Sequence, residues 1–194
     1  MRAKMDSVIL SRPGSTLARS RWLLVAALAA PAPLPAEVPE SVDPERIPNY
    51  RVIRPDLAVG GQPSPQAMMQ LGEMGFKTII NLRTRREGAL EEEQVVRALG
   101  LDYVWVPVSS TTLSLGDVEA VEQVLSDPER APVLLHCGSS DRVGAVWGVI
   151  QARAGRTLDE AEAAARNAGL RSPKNWEAAL RVLDAAREPA DEDR

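Results

Sequence analysis

Short apolar segments alternate with amphipathic segments along this chain from residue 51 onward, and this alternation restricts the folds open to it. Strands are predicted at residues 51–53, 57–59, 77–82, 102–108 and 132–136. Helices are predicted at residues 65–74, 89–99, 115–125, 142–154, 157–168 and 173–186. Nearly continuous apolar strands that alternate with helices are typical of parallel sheets covered on both faces. The pattern predicts an α/β fold with a central, mostly parallel sheet of about four to five strands flanked by helices.

The N-terminal segment has the pattern of a targeting sequence. A basic region with Arg12, Arg19 and Arg21 precedes nine apolar residues, 22–30, and then small residues and prolines up to residue 36. This predicts a signal peptide and a periplasmic or secreted protein; a disordered cytoplasmic extension is the alternative. Nine apolar residues are too few to cross a bilayer, which takes about 20. No stable membrane anchor is therefore expected after cleavage.

The remaining chain divides simply. Residues 37–46 are a predicted linker, residues 47–187 a single globular domain, and residues 188–194 a disordered tail. Residues 37–194 carry 18 basic and 26 acidic side chains. Such an acidic domain is a poor candidate for binding nucleic acid.

The 194 residues include one cysteine and one histidine, and the two are neighbours, His136 and Cys137. One cysteine cannot form an intramolecular disulfide. One cysteine with one histidine cannot supply the four ligands of a structural zinc site. No metal and no cofactor are therefore predicted, and chemistry by a cysteine paired with a distant histidine is excluded.

The segment at residues 132–144 combines a buried strand, a small-residue loop and the start of a helix. Ligands of open α/β sheets bind beyond the carboxyl ends of the strands, and Cys137 is the first residue past such an end. Backbone N–H groups of the loop and the helix N-terminus would favour a thiolate at Cys137 and would bind a tetrahedral oxyanion. Arg142, five positions further on, could hold two oxygens of that anion. The alternative for Cys137 is a small buried apolar residue.

His136 and the basic residues after strand 77–82 are less specific candidates. His136 is interpreted as a supporting residue that holds the loop or favours the thiolate, or as a polar residue satisfied by nearby backbone. Arg83 could reach the rim of the crevice and help to bind an anion. For Arg85 and Arg86, solvated charges paired with Glu87 are the more ordinary interpretation. Structural support of the loops is the role predicted for two further residues, Gln62 and Asn81.

These motifs together resemble a known family. His-Cys, a short loop and Arg resemble the signature of the cysteine-dependent tyrosine and dual-specificity phosphatases. The match is closer to a bacterial branch, the phosphatase-like domain of beta-lactamase-hydrolase-like proteins. In that branch counterparts occur, in order, of residues 61–64, 80–83, 105–108 and 136–144. The resemblance covers roughly residues 47–170 and implies a fold of the dual-specificity phosphatase type.

The resemblance implies phosphoryl transfer through a cysteinyl-phosphate, without a metal. Cys137 would attack phosphorus, Arg142 and the loop would stabilise the equatorial oxygens, and water would release phosphate. The phosphate-binding residues that the resemblance implies are those of the loop: Gly138, Ser139, Ser140, Asp141 and Arg142. Arg83 is added to them by the crevice rule. The substrate would be a phosphorylated small molecule or a phosphoprotein; its identity and the oligomeric state of the protein are left open.

Several departures from the better-known phosphatases leave alternatives open. Four residues, not five, separate Cys137 from Arg142, a spacing that also resembles rhodanese-type sulfurtransferases, in which the cysteine carries a persulfide. Ser140 stands where the branch often has glycine, and Val143 removes a hydroxyl common after the arginine. The candidates for the general acid are Asp141 and Asp117, since residues 108–116 contain no carboxylate; a leaving group that needs little protonation would require neither. A catalytically silent module that binds phospho-ligands is the third interpretation.

Overall fold

The computed structural model describes residues 37–187 of the chain, so the predicted signal peptide and the predicted tail lie outside the described residues. The strands are β1 (Arg51–Arg54), β2 (Leu57–Gly60), β3 (Thr78–Asn81), β4 (Asp102–Trp105) and β5 (Val133–His136). The helices are α1 (Pro65–Met68), α2 (Ala89–Ala98), α3 (Leu115–Ser126), α4 (Asp141–Arg153), α5 (Leu158–Asn167) and α6 (Pro173–Ala185). Among these helices none is both long and apolar enough to cross a membrane.

The five strands form one sheet in the order β1-β2-β5-β3-β4. Only β1, at one edge, is antiparallel to its neighbour; the other pairs are parallel. The predicted mostly parallel α/β sheet is therefore confirmed. The central strand β5 pairs His136 with Gly60 on one side and with Asn81 on the other, so three strands end side by side.

Both faces of the sheet are buried, which explains the apolar character of the central strands. Alternate residues of β5 enter different cores: Leu134 packs with Ile79 on the side of α1 and α2, whereas Leu135 packs with Ile80 on the side of α3 and α4. The core thus fixes the end of β5 from both sides.

A close helix contact fixes the first turn of α4. Gly144 lies where a Cβ atom would come within 2.4 Å of the backbone nitrogen of Leu170 and 2.6 Å of the carbonyl oxygen of Ala165. Only glycine permits this approach. The start of α4 is therefore held against the end of α5 and the segment that leads to α6.

Some predicted element bounds are wrong. The helix predicted at residues 65–74 ends at Met68, because the N–H groups of Gln70 and Leu71 donate to carbonyls three residues back and the chain continues in turns. β4 ends at Trp105 rather than at residue 108. α4 begins one residue earlier than predicted, at Asp141.

Candidate active site

Residues 137–142, the Cys–Arg loop, connect β5 to α4. The N–H of Cys137 donates to the carbonyl of Gly60 at 3.3 Å, and the Cys137 side chain is buried. The backbone N–H of Gln62 donates to the carbonyl of Gly138 at 3.1 Å, while Gly61 bridges to Ser139. The segment after β2 therefore lies alongside the loop and holds its first half.

Ser140 adopts the left-handed conformation that favours glycine, with φ of 71°. Its side chain is fully buried, and its Oγ donates to the carbonyl of Ala168 at 2.8 Å. The sequence indicated that serine would make this backbone conformation less accessible. The buried hydrogen bond to the end of α5 offsets the free-energy cost of the left-handed backbone. The loop therefore adopts this conformation with serine at position 140.

Asp141 is the first residue of α4, and both of its carboxylate oxygens are engaged. Oδ1 accepts from the backbone N–H groups of Arg171 at 2.7 Å and Ser172 at 3.0 Å. Oδ2 accepts from Nδ2 of Asn175 at 2.9 Å. The carboxylate thus ties the Cys–Arg loop to the start of α6, and the structure does not present it as a free acid.

Arg142 is partly buried, and one end of its guanidinium is bound by four acceptor atoms from three residues. Nη1 donates to the carbonyl of Val108 at 3.0 Å and to Glu87 Oε2 at 2.9 Å, and more weakly to the carbonyl of Leu82; Nη2 donates to Glu87 Oε1 at 2.6 Å. Burial lowers the pKa of Arg142, but the hydrogen bond to Glu87 and the charge of Cys137 outweigh burial and raise it. The guanidinium therefore lies within range of both Glu87 and Cys137.

These contacts leave one edge of the guanidinium available. Among residues 37–187, Nε–H and the second N–H of Nη2 have no oxygen acceptor; the group that they share this side with is the Cys137 thiol. That edge carries the two parallel N–H groups that can bind two oxygens of a phosphate or sulfate group. Arg142 is thus oriented by Glu87 and the two carbonyls while it keeps a pair of donors for an anion.

Glu87 is a site residue that the sequence analysis missed, because it was paired there with Arg85 and Arg86. It lies on a single 3₁₀ turn, Arg85–Glu87, whose start is closed by a capping box with Thr84. The hydrogen bond from Arg142 is the main cause that lowers the pKa of Glu87 to about 2. The Thr-x-x-Glu spacing before Gly88 was the available signal, since it fixes where the Glu87 side chain points.

Glu92 is a second residue that the sequence analysis missed. Its side chain is 4% exposed and comes from α2. Oε1 accepts from His136 Nε2 at 2.7 Å and from Asn81 Nδ2 at 2.9 Å; Oε2 accepts from Gln62 Nε2 at 2.8 Å and from Arg83 Nη1 at 3.1 Å. Burial alone would raise the pKa of Glu92, but the hydrogen bonds and charges of these donors outweigh it and lower the pKa.

This cluster contains four residues that were candidates in the sequence. Arg83, predicted to bind phosphate, has its guanidinium on Glu92 and Gln62, and the structure does not bring it to the Cys–Arg loop. Gln62 and Asn81 contact the same carboxylate, in keeping with a supporting role. His136 is fully buried behind the loop, with Nδ1 3.3 Å from the carbonyl oxygen of Cys137.

Residues 109–114, the hydroxyl loop, lie in the stretch after β4 where the sequence led us to look for a general acid. Ser109, Thr111 and Thr112 hydrogen-bond to one another through their hydroxyl groups. Asp117 lies beyond this loop in a capping box with Ser114, whose N–H and Oγ donate to it at 2.9 and 2.7 Å. Within residues 37–187, no group of three His, Cys, Asp or Glu side chains is arranged to hold a metal ion.

Comparison with known proteins identifies the family. The family model for the phosphatase-like domain of beta-lactamase hydrolase-like protein matches residues 49–154. The beta-lactamase hydrolase-like protein of Agrobacterium fabrum is 33% identical over 105 residues, which are 52% of this chain and 24% of that protein. The chain thus matches about a quarter of the length of that relative.

Solved structures agree in fold. A DUF442 protein from Shewanella putrefaciens CN-32 superposes with a TM-score of 0.58 at 24% identity, covering 73% of this chain and 95% of that one. The core catalytic domain of the PP-IP phosphatase SIW14 from S. cerevisiae gives a TM-score of 0.53 at 17% identity, covering 76% and 95%. With the family model matching more than half of the sequence, the chain belongs to the phosphatase-like domain family of the beta-lactamase hydrolase-like proteins.

Proposed function

We propose that this domain is a cysteine-dependent phosphatase that acts on phosphomonoesters. The observation that carries the proposal is the Cys–Arg loop itself: Cys137 directly follows the central strand, α4 begins four residues later, and Arg142 keeps two donors without an oxygen acceptor beside the thiol. A loop of backbone N–H groups at a helix N-terminus stabilises both a thiolate and a phosphate group. The phosphatase-like family supports the same general chemistry.

The reaction would proceed in two steps. The Cys137 sulfur forms a bond to phosphorus while the bond from phosphorus to the leaving oxygen breaks, with the electron pair remaining on that oxygen. Arg142 and the loop N–H groups hold the equatorial oxygens as charge builds on them. Water then attacks phosphorus, the sulfur–phosphorus bond breaks, and inorganic phosphate leaves with the thiolate restored.

The source of the leaving-group proton is where the proposal departs from the sequence-based expectation. The hydrogen bonds of Asp141 to Arg171, Ser172 and Asn175 argue for an anchoring role and against proton donation. Asp117 is engaged by Ser114 in the cap of α3. An aryl phosphate is therefore the best probe, because its leaving group needs the least protonation.

The direct test is turnover of p-nitrophenyl phosphate by the full chain, with Cys137→Ser as the control. Turnover is expected in the parent and a loss of more than about 10³-fold in the variant. Orthovanadate should inhibit the parent and protect Cys137 from alkylation. Absence of turnover together with absence of vanadate protection would exclude the phosphatase proposal.

A sulfurtransferase is the second candidate. The observation in its favour is the four-residue spacing between Cys137 and Arg142, which gives a six-residue loop. Transfer of sulfur from thiosulfate to cyanide, with no hydrolysis of p-nitrophenyl phosphate, would select it.

A silent binding module is the third candidate, favoured by Val143 and by the engaged carboxylates of Asp117 and Asp141. Phosphate binding that survives Cys137→Ser, with no turnover of any donor in the parent, would select it.

Export also remains a proposal, supported by the basic and apolar pattern of residues 1–36. Cell fractionation and N-terminal sequencing of the mature protein test it. A mature protein that begins near residue 37 in the exported fraction is expected. Full-length protein in the cytoplasm would exclude it.

A further inference from the structure

Glu92 is surrounded by donors from three separate segments of the chain. Gln62 follows β2, Asn81 and Arg83 lie at the end of β3, and His136 ends β5. Each carboxylate oxygen accepts two hydrogen bonds, so the acceptor capacity of the ionised group is filled. An ionised carboxylate is strongly favoured here, because Arg83 contributes a positive charge at 3.1 Å from Oε2.

Both ring nitrogens of His136 face an oxygen atom. Its Nε2 faces the Glu92 carboxylate at 2.7 Å, and its Nδ1 faces the carbonyl oxygen of Cys137 at 3.3 Å. Both partners are oxygen acceptors, and an imidazole donates from both nitrogens only in its protonated form. Two arrangements compete with it. One is a neutral imidazole that donates from Nε2 alone, with the lone pair of Nδ1 facing the carbonyl oxygen of Cys137; the other is a neutral pair in which a protonated Glu92 donates to Nε2.

The other polar groups around the pair favour the ionised form of Glu92. Asn81 Nδ2 also donates to Tyr103 Oη at 2.7 Å, and Tyr103 Oη donates to the carbonyl of Ala89, so this hydroxyl offers no proton to Glu92. Burial is the main cause that raises the pKa of Tyr103, and the charge of Glu92 adds to it, so the phenol stays neutral. Arg83 is the only other charged side chain in contact with the Glu92 carboxylate among the described residues.

We propose that Glu92 is a positioning residue that keeps His136 as an imidazolium directly behind Cys137 and thereby favours the thiolate. Glu92 touches neither the thiol nor the anion site; it acts through the imidazole that it holds. The charge of His136 does not depend on which reaction the domain performs, whereas the consequence for turnover rests on the proposed function.

The sequence makes the first test unambiguous, because His136 is the only histidine of the chain. Nitrogen-15 NMR of histidine-labelled protein reports one pair of ring nitrogens. Two protonated nitrogens are expected in the parent at neutral pH, and one unprotonated nitrogen in Glu92→Gln. The matched control, Glu91→Gln, removes the exposed neighbouring carboxylate on α2 and should leave the spectrum unchanged.

The second test uses the only cysteine of the chain. Alkylation of Cys137 by iodoacetamide is followed across pH, and its midpoint reports thiolate formation. Loss of the adjacent positive charge should move the midpoint to higher pH in Glu92→Gln and slow alkylation near pH 6 by about tenfold. Glu92→Asp, which keeps the carboxylate, should return the profile toward that of the parent, and Glu91→Gln should match the parent.

Two results would overturn the proposal. One is an unprotonated ring nitrogen of His136 in the parent at neutral pH, a measurement that needs no variant and stands even if Glu92→Gln fails to fold. The other is an alkylation profile of folded Glu92→Gln that coincides with that of Glu91→Gln. Neither readout requires turnover, so failure of the phosphatase proposal is recognised separately, by the absence of hydrolysis and of vanadate protection.

Discussion

The two loops that border the candidate site are held in very different ways. The Cys–Arg loop is tied to the segment after β2 through Gly138, to the end of α5 through Ser140 and to the start of α6 through Asp141. The hydroxyl loop is held mostly by its own side chains. Its hydrogen bonds to helices are the one from Arg181 to the carbonyl of Ser110 at 2.6 Å and, at its last residue, the capping box of Ser114 with Asp117.

The difference in how firmly the two loops are held suits them to different tasks. A set of donors that binds an anion must be held in place before the anion arrives, since reorganisation would cost part of the binding energy. A loop with exposed hydroxyls and few external contacts can change shape at low cost. Under the proposed function, the Cys–Arg loop would hold the reacting groups, and the hydroxyl loop is the one that could adapt to the leaving group.

Among changes in the Cys–Arg loop, replacement of Arg142 by lysine should have the largest effect on catalytic efficiency. Lysine keeps the charge but cannot bind Glu87 and an anion through separate edges. The catalytic efficiency towards p-nitrophenyl phosphate should fall on the order of 10²-fold or more, measured by steady-state kinetics. Arg85→Lys, at an exposed position on the neighbouring turn, should change it by less than about twofold. An Arg142→Lys variant as efficient as the parent would show that Arg142 acts only through its charge.

Asp141→Ala tests whether the rigid loop depends on its carboxylate anchor. Three hydrogen bonds to a charged group are lost, so the free energy of unfolding should fall by about 2 kcal/mol or more, measured by urea denaturation. The matched change beside the hydroxyl loop, Asp117→Ala, removes one capping interaction and should cost about 1 kcal/mol.

If Asp141→Ala were as stable as the parent, Asp141 would again be a candidate for the general acid. In that case Asp141→Asn would keep the stability of the parent but would abolish the decrease of turnover at high pH.

Glu87→Gln tests the ion pair between Glu87 and Arg142 through the pH dependence of stability. The pKa of Glu87 lies near 2 in the folded protein and near 4.5 in an unfolded, fully hydrated chain, so its ionised form stabilises the fold above pH 4.5. That contribution is lost as pH falls towards 2, because the folded protein must then take up a proton at a site built for a carboxylate. The stability difference between parent and Glu87→Gln should be largest near neutral pH and should narrow below pH 4.5. Urea denaturation at low ionic strength across this range measures it, and a constant difference would contradict the assigned ion pair.

The sequence was sufficient for the parts of the site that are local in the chain. Cys137 and Arg142 belong to one strand–loop–helix unit, so their proximity follows from the predicted elements. The order of the strands places Gly60, Asn81 and His136 side by side, in line with the crevice rule for parallel sheets.

Glu87 and Glu92 were missed because their partners are far away in the chain. Glu92 lies 44 positions from His136, and in the sequence it is one of three consecutive glutamates on an amphipathic helix. A signal was nevertheless present: Ala89, Glu92 and Val96 follow helical spacing on one buried face, so a carboxylate occupies a position where the pattern calls for an apolar side chain. A charged residue on a buried helix face needs partners, and its partners here are the polar ends of three strands and loops.

The smallest expected effect concerns the strained residue of the rigid loop. Ser140→Gly relieves a left-handed backbone conformation worth about 1 kcal/mol, but it removes the hydrogen bond from Oγ to the carbonyl of Ala168, which contributes a similar amount. The free energy of unfolding should therefore stay within about 0.5 kcal/mol of the parent. Ser140→Ala keeps the strain and loses the hydrogen bond, so it should be less stable than the parent by about 1–2 kcal/mol. Thermal and urea denaturation of the three proteins measure the difference. If the glycine variant were as unstable as the alanine variant, the hydrogen bond alone would account for the loop conformation, and the backbone at Ser140 would store no strain.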